Sequence, residues 1–155
     1  MERLWMLRYE EISWEDLSPE EREVVIAARQ AAERAYAPYS GFPVGAAARL
    51  RDGRLYLGNN QENAAYPSGL CAERVLLFSL GAQGLVPEIE ILSVYAARLE
   101  EPVMPCGACR QVMYEYQQRS PAPWRLLFSG GLSPRIYRLI GAEGLLPLAF
   151  RWKGK

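Results

Sequence analysis

The 155-residue chain has no histidine and only three cysteines. Without imidazole, a metal site here has to be assembled from thiolates and carboxylates. The charge balance is also bare: 18 basic and 18 acidic side chains leave no net charge. A nucleic-acid binder carries a basic excess, so the balance argues against a polynucleotide partner. No apolar run approaches the ~20 residues that cross a bilayer, so no membrane partner is expected. Met1 to Asp16 scatters Glu and Arg among its apolar residues and has no signal-peptide core. An odd cysteine count makes a disulfide framework awkward. The expected setting is therefore the reducing cytoplasm, with metal as the use of the thiols. Repeats, low-complexity tracts and internal linkers are missing too.

What is present is an ordinary globular balance, with 50% apolar and 23% charged residues. At this length one domain is expected, burying about 70% of its unfolded surface.

All three cysteines fall in two short segments, Cys71-Ala72-Glu73-Arg74 and Pro105-Cys106-Gly107-Ala108-Cys109-Arg110-Gln111. Each stands where a loop gives way to a helical apolar pattern: Val75, Leu76, Phe78 and Leu80 after the first, Val112, Met113 and Tyr116 after the second. Cys106 and Cys109 are spaced to share one face of a first helical turn. A helix N-terminus favours thiolate over thiol through its free N–H groups and dipole. Two such termini facing each other would gather three thiolates around one zinc. Structural zinc takes four protein ligands and catalytic zinc takes three plus water, so this count points to the catalytic kind unless a carboxylate or another chain adds a fourth. Buried core cysteines would not concentrate in two helix-start motifs. A Cys-x-x-Cys redox pair would leave Cys71 and Glu73 without a role. Glu73 alone reads equally as a first-turn acid favoured by the dipole; beside the ligands it is the natural proton carrier. Arg74, adjacent to it, is the nearest full positive charge in sequence to offset the −1 left by three thiolates on a divalent ion.

Along the chain, residues 3–12 alternate weakly and suggest a strand or an extended arm carrying Trp5, with Trp14 beyond it. Such an arm covers a subunit surface or packs on its own domain. Ser18-Pro19-Glu20-Glu21 is a capping box with proline at the first helical position. It opens a helix expected to reach about Tyr36. Asp52-Gly53 marks a hairpin between 44–51 and 54–59, and the small residues Gly45 to Ala48 imply close packing on that strand. A helix from Cys71 to about Gln83, a central strand at 88–97 and a helix from Cys106 to about Gln118 follow. Strands at 124–129 and 135–139 and a closing helix from Ala142 to Phe150, interrupted by Pro147, complete the order. This predicts a three-layer α/β/α sandwich around a mixed sheet of about five strands. Residues 1–17 are an expected N-terminal arm and 18–155 the domain.

The two cysteine motifs resemble those of the small homotetrameric cytidine deaminases, in the form whose first zinc ligand is cysteine. The likeness extends from about residue 20 to residue 150. The arm, the stretch 130–144 and the tail Arg151 to Lys155 depart from it. The resemblance implies one zinc per chain on Cys71, Cys106 and Cys109. It makes Glu73 the group that moves protons between water, the ring N3 and the leaving amino group. In Gly58-x-Asn60-x-Glu62-Asn63, Asn60 and Glu62 are implied to grip the sugar hydroxyls, while Phe42 and Val44 pack the pyrimidine. Tyr66 and Ala72 join the implied substrate-binding set, and Arg74 and Gln111 stand behind the ligands. Phe150, in Leu145-Leu146-Pro147-x-Ala149-Phe150, is implied to reach a neighbouring subunit's site. The implied reaction is hydrolysis of cytidine and 2′-deoxycytidine to the uridines with loss of ammonia, in pyrimidine salvage. The alternatives are a deaminase of a modified cytosine nucleoside such as blasticidin S, and a non-catalytic zinc-bearing interaction module.

Overall fold

Six strands and three α-helices make up the computed structural model, which describes residues 1–152. In chain order these are β1 (Glu10–Ile12), α1 (Pro19–Ala32), β2 (Val44–Leu50), β3 (Leu55–Asn59), α2 (Ala72–Ala82), β4 (Ile89–Ala96), α3 (Gly107–Gln117), β5 (Arg125–Gly130) and β6 (Ile136–Ile140). The sheet runs β1-β6-β5-β4-β2-β3. Only β4 and β5 pair in parallel, and the crossover between them carries α3. Pairing is antiparallel elsewhere.

Side-chain alternation along the strands sorts two apolar layers. Ala46, Ala48, Leu92, Leu126 and Phe128 face α2 and α3, packing with Leu76, Leu77, Leu80 and Met113. Ala47, Ile91 and Leu127 face the other way, against Val24, Val25 and Ala28 of α1. The sandwich is therefore three-layered, as expected. The close approach implied by the small residues of β2 is that of α1: a Cβ on Gly45 would lie 1.9 Å from the Ala28 carbonyl oxygen.

The capping box at Ser18 forms in full, the Ser18 hydroxyl accepting from the Glu21 amide and the Glu21 carboxylate from the Ser18 amide. Helix α1 stops at Ala32, short of the expected Tyr36. The Tyr36 backbone is taken instead by the chain leaving β3, donating to the Asn60 carbonyl at 3.0 Å and accepting from the Glu62 amide at 2.8 Å.

Two further expectations are corrected. The sheet has six strands, because Glu10–Ile12 pairs with the outer edge of β6. Ala142 to Phe150 does not form a helix; a 3₁₀ turn, Glu143–Leu145, is all that forms, since Pro147 lacks the amide a further turn needs. The arm lies on its own chain, with the Trp5 indole donating to the Gly144 carbonyl at 3.3 Å and Tyr9 set edge-on to Tyr137. The expected tail and domain end at Lys153, Gly154 and Lys155 lie outside the described residues. No helix among the described residues is long and apolar enough to cross a membrane.

Candidate metal centre and substrate cleft

Cys71 and Cys106 are the N-cap residues of α2 and α3, both in extended backbone, and neither thiol caps its own helix. Cys109 follows in the first turn of α3. The three sulfurs lie within 4.8 Å of one another, with Cys71 Sγ and Cys106 Sγ 3.7 Å apart. Tetrahedral zinc with bonds of about 2.3 Å holds its sulfurs about 3.8 Å apart, so the spacing fits that ion. Among the described residues the cluster consists of these three cysteines, so a tetrahedral zinc held by them alone would have one position for water.

The electrostatics follow from burial, from hydrogen bonds among the sulfurs and from the neighbouring charges. The Cys71 thiol is pushed down to about 5, first by its hydrogen bond with Cys109 and then by the Arg74 guanidinium. Cys109 is pushed up, by the same bond to Cys71, by burial and by the Glu73 charge. Arg74 Nη2 donates to Cys71 Sγ at 3.7 Å. Glu73, in the first turn of α2, is only 4% exposed. Burial raises its carboxyl to about 7, and the neighbouring Cys71 charge adds to the rise.

An open cleft of about 450 Å³ leads to this cluster. Its walls include Asn60, Glu62, Tyr66, Cys71 and Arg74, together with Tyr39, Ser40 and Asn63. Glu62 Oε2 accepts from the Tyr39 amide at 2.8 Å and the Ser40 amide at 3.2 Å, and Ser40 Oγ donates to Oε1. These contacts hold the Glu62 carboxyl below the usual carboxylate range, the Ser40 hydroxyl being the main cause. The Asn60 side chain spans the start of β2: its Oδ1 accepts from the Val44 amide at 2.8 Å and its Nδ2 donates to the Phe42 carbonyl at 2.9 Å. Phe42, Val44 and Ala72 do not line this cleft: Val44 and Ala72 are buried in the apolar core and Phe42 packs against it. Phe150 is 68% exposed and apart from its own chain's cleft. Its carbonyl accepts from Gln111 Nε2 at 3.0 Å, so the second cysteine motif also anchors the closing segment. Arg110, the residue before it, also reaches that segment, donating to Leu145 O at 3.1 Å while its Nε donates to Pro105 O at 2.8 Å.

Sequence reasoning passed over Ser40, Asn63, Arg110 and Tyr39 as site residues. Asn63 and Arg110 stood inside the motifs that carry Glu62 and the second pair of cysteines, and that adjacency was the only available signal for them.

Three converging thiols from two helix starts, with a buried carboxyl on one of them, fit the class of zinc-dependent hydrolases that activate water. Comparison with known proteins narrows this. Residues 18–120 match the cytidine and deoxycytidylate deaminase zinc-binding region. The chain is 45% identical over 121 residues to a cytidine deaminase of Halalkalibacterium halodurans, covering 78% of this chain and 86% of that one. With a cytidine deaminase of Sporosarcina psychrophila it shares 47% identity over 93 residues, 60% of this chain and 67% of the relative. The crystal structure of a Burkholderia pseudomallei cytidine deaminase superposes with a TM-score of 0.72 at 41% identity, over 83% of this chain and 97% of that one. The chain belongs to the zinc-dependent cytidine and deoxycytidylate deaminase family.

Proposed function

We propose that the chain hydrolyses cytidine and 2′-deoxycytidine to uridine and 2′-deoxyuridine with release of ammonia, in cytoplasmic pyrimidine salvage. The observation that carries this is Glu73, buried beside three converging thiols, of which Cys71 lines a cleft that Glu62 also lines.

Cys71, Cys106 and Cys109 would hold the zinc, which when bound would acidify a water and so supply a nucleophile near neutral pH. Glu73, shielded from solvent at the start of α2, takes a proton from the attacking water and gives it to the ring N3, then takes the proton of the hydroxyl added at C4 and gives it to the departing amino nitrogen, so a single group acts as base and acid in turn. Arg74 and the N-termini of α2 and α3 offset the excess negative charge of the thiolates. Glu62 accepts a hydrogen bond from a sugar hydroxyl. Asn60 keeps one amide hydrogen for the same purpose while its other contacts hold Phe42 and Val44 at the pyrimidine end.

Residues 18–155 form the catalytic domain in this reading, with 1–17 as an added arm. A homotetramer completes the site. The cleft is open along one side, and Phe150 and Trp152 stand exposed near the end of the described chain, suited to closing a neighbour's cleft.

A spectrophotometric assay of cytidine loss, with and without a zinc chelator, tests the reaction. Turnover abolished by chelation and restored by zinc is the expected result. Turnover of blasticidin S with none of cytidine would reassign the substrate, and a zinc-loaded protein inert toward both would fit a binding module.

A further inference from the structure

A carboxylate has about four acceptor sites. In Glu62 three are filled by a single turn of chain, two on Oε2 by the Tyr39 and Ser40 amides and one on Oε1 by the Ser40 hydroxyl. One acceptor position remains, on Oε1, and both residues line the cleft. The direction of the Ser40 hydroxyl is itself determined. Its oxygen accepts from the Phe42 amide at 3.1 Å, so its own hydrogen is turned toward Glu62. A continuous path results: Phe42 N–H to Ser40 Oγ, Ser40 O–H to Glu62 Oε1. Asn60 grips the two ends of the same segment, at Phe42 O and Val44 N.

We propose that Ser40 is the positioning residue for the sugar half of the substrate. It fixes the Glu62 carboxylate in one orientation, with one free lone pair on Oε1 for a ribose hydroxyl, and it ties that orientation to the backbone of Phe42. This rests on the reading of Glu62 as the sugar acceptor. Without the Ser40 hydroxyl, Oε2 stays anchored by two amides while Oε1 loses its preferred direction and gains a competing water. Substrate affinity falls through the hydroxyl contact alone, and the chemistry at the far end of the cleft is left in place.

The test compares Ser40→Ala, Ser40→Thr and Glu62→Gln on cytidine and on 2′,3′-dideoxycytidine, which keeps the 5′-hydroxyl but lacks the ring hydroxyls at 2′ and 3′ that Glu62 would bind. Thermal melting confirms that each variant is folded. The expected result is a cytidine KM raised about tenfold in Ser40→Ala, matching a hydrogen bond to a charged group, with kcat within about twofold of the parent. KM for the dideoxynucleoside should move less than about twofold, and Ser40→Thr should restore the cytidine value. If Glu62→Gln raises the cytidine KM and Ser40→Ala does not, the positioning role is wrong and the sugar-acceptor reading stands. If Glu62→Gln leaves the cytidine KM unchanged, the sugar-acceptor reading falls and the proposal with it. Equal KM increases for both substrates, or a kcat loss as large as the KM change, would mean that Ser40 only orders the loop.

Discussion

Arg74 Nη2 lies 3.7 Å from the sulfur of Cys71, three residues before it at the N-cap of the same helix. Three thiolates on a divalent ion leave a net negative centre, and this guanidinium is a full positive charge in direct contact with one of them. Removing it as Arg74→Gln is expected to preserve the fold and loosen the metal. Competition with a chelator of known affinity should show zinc held about tenfold more weakly, as loss of one charge-assisted contact implies. Unchanged zinc retention would assign the stabilisation to the helix termini alone.

Metal and fold are coupled at this site, because Cys71 and Cys106 begin the two helices that pack together on one face of the sheet. Cys106→Ala should lose zinc and melt at a lower temperature than the parent. Atomic absorption and a thermal melt on the same sample check this, and full zinc content in the variant would remove Cys106 from the ligand set.

Gly58 of β3 lies beneath the first turns of α2. A Cβ there would meet the Ala72 carbonyl oxygen at 2.8 Å and the Leu76 amide nitrogen at 2.7 Å. Both contacts are backbone and cannot swing aside, so Gly58→Ala has to push α2, and with it Cys71 and Glu73. We expect a loss of about 2–3 kcal/mol in urea unfolding, accompanied by reduced turnover. Parent-like stability and activity would show that α2 tolerates the shift.

The Glu62 cradle predicts a pH dependence. The folded-state carboxyl is held below its ordinary value, so its contribution is fully present above the unfolded value of about 4.3 and is lost as pH falls through the lower folded value. The amide resonances of Tyr39 and Ser40 should therefore shift with a midpoint below about 4.3 in the parent. The midpoint should move upward in Ser40→Ala. A midpoint at the ordinary value would mean that the contacts do not persist in solution.

The metal site was legible because its chemistry is local. Cysteine spacing and the apolar run after each motif placed Cys71, Cys106 and Cys109 at helix starts without knowledge of the tertiary fold. The hairpin at Asp52-Gly53 and the capping box at Ser18 were readable for the same reason. What escaped was decided by distant partners. Tyr36 belonged to a helical pattern, yet its backbone bonds Asn60 and Glu62. β1 is the last three residues of the weakly alternating stretch 3–12, and what that stretch could not show is its pairing with β6, the strand of the sheet it joins. At the C-terminus Gly144 and Pro147 outweighed the apolar spacing. Ser40 carried no signal of its own, because its partner Glu62 is brought to it by the chain leaving β3.

Glu73 is the group on which the proposed reaction turns. Ammonia release from cytidine, measured for the parent and for Glu73→Gln at equal zinc content, tests that most directly. The prediction is steady ammonia formation by the parent and a fall of about 10²–10⁴-fold in the variant, the range of a positioned proton transfer. A variant within about tenfold of the parent, or a fully zinc-loaded parent that releases none, would contradict the account.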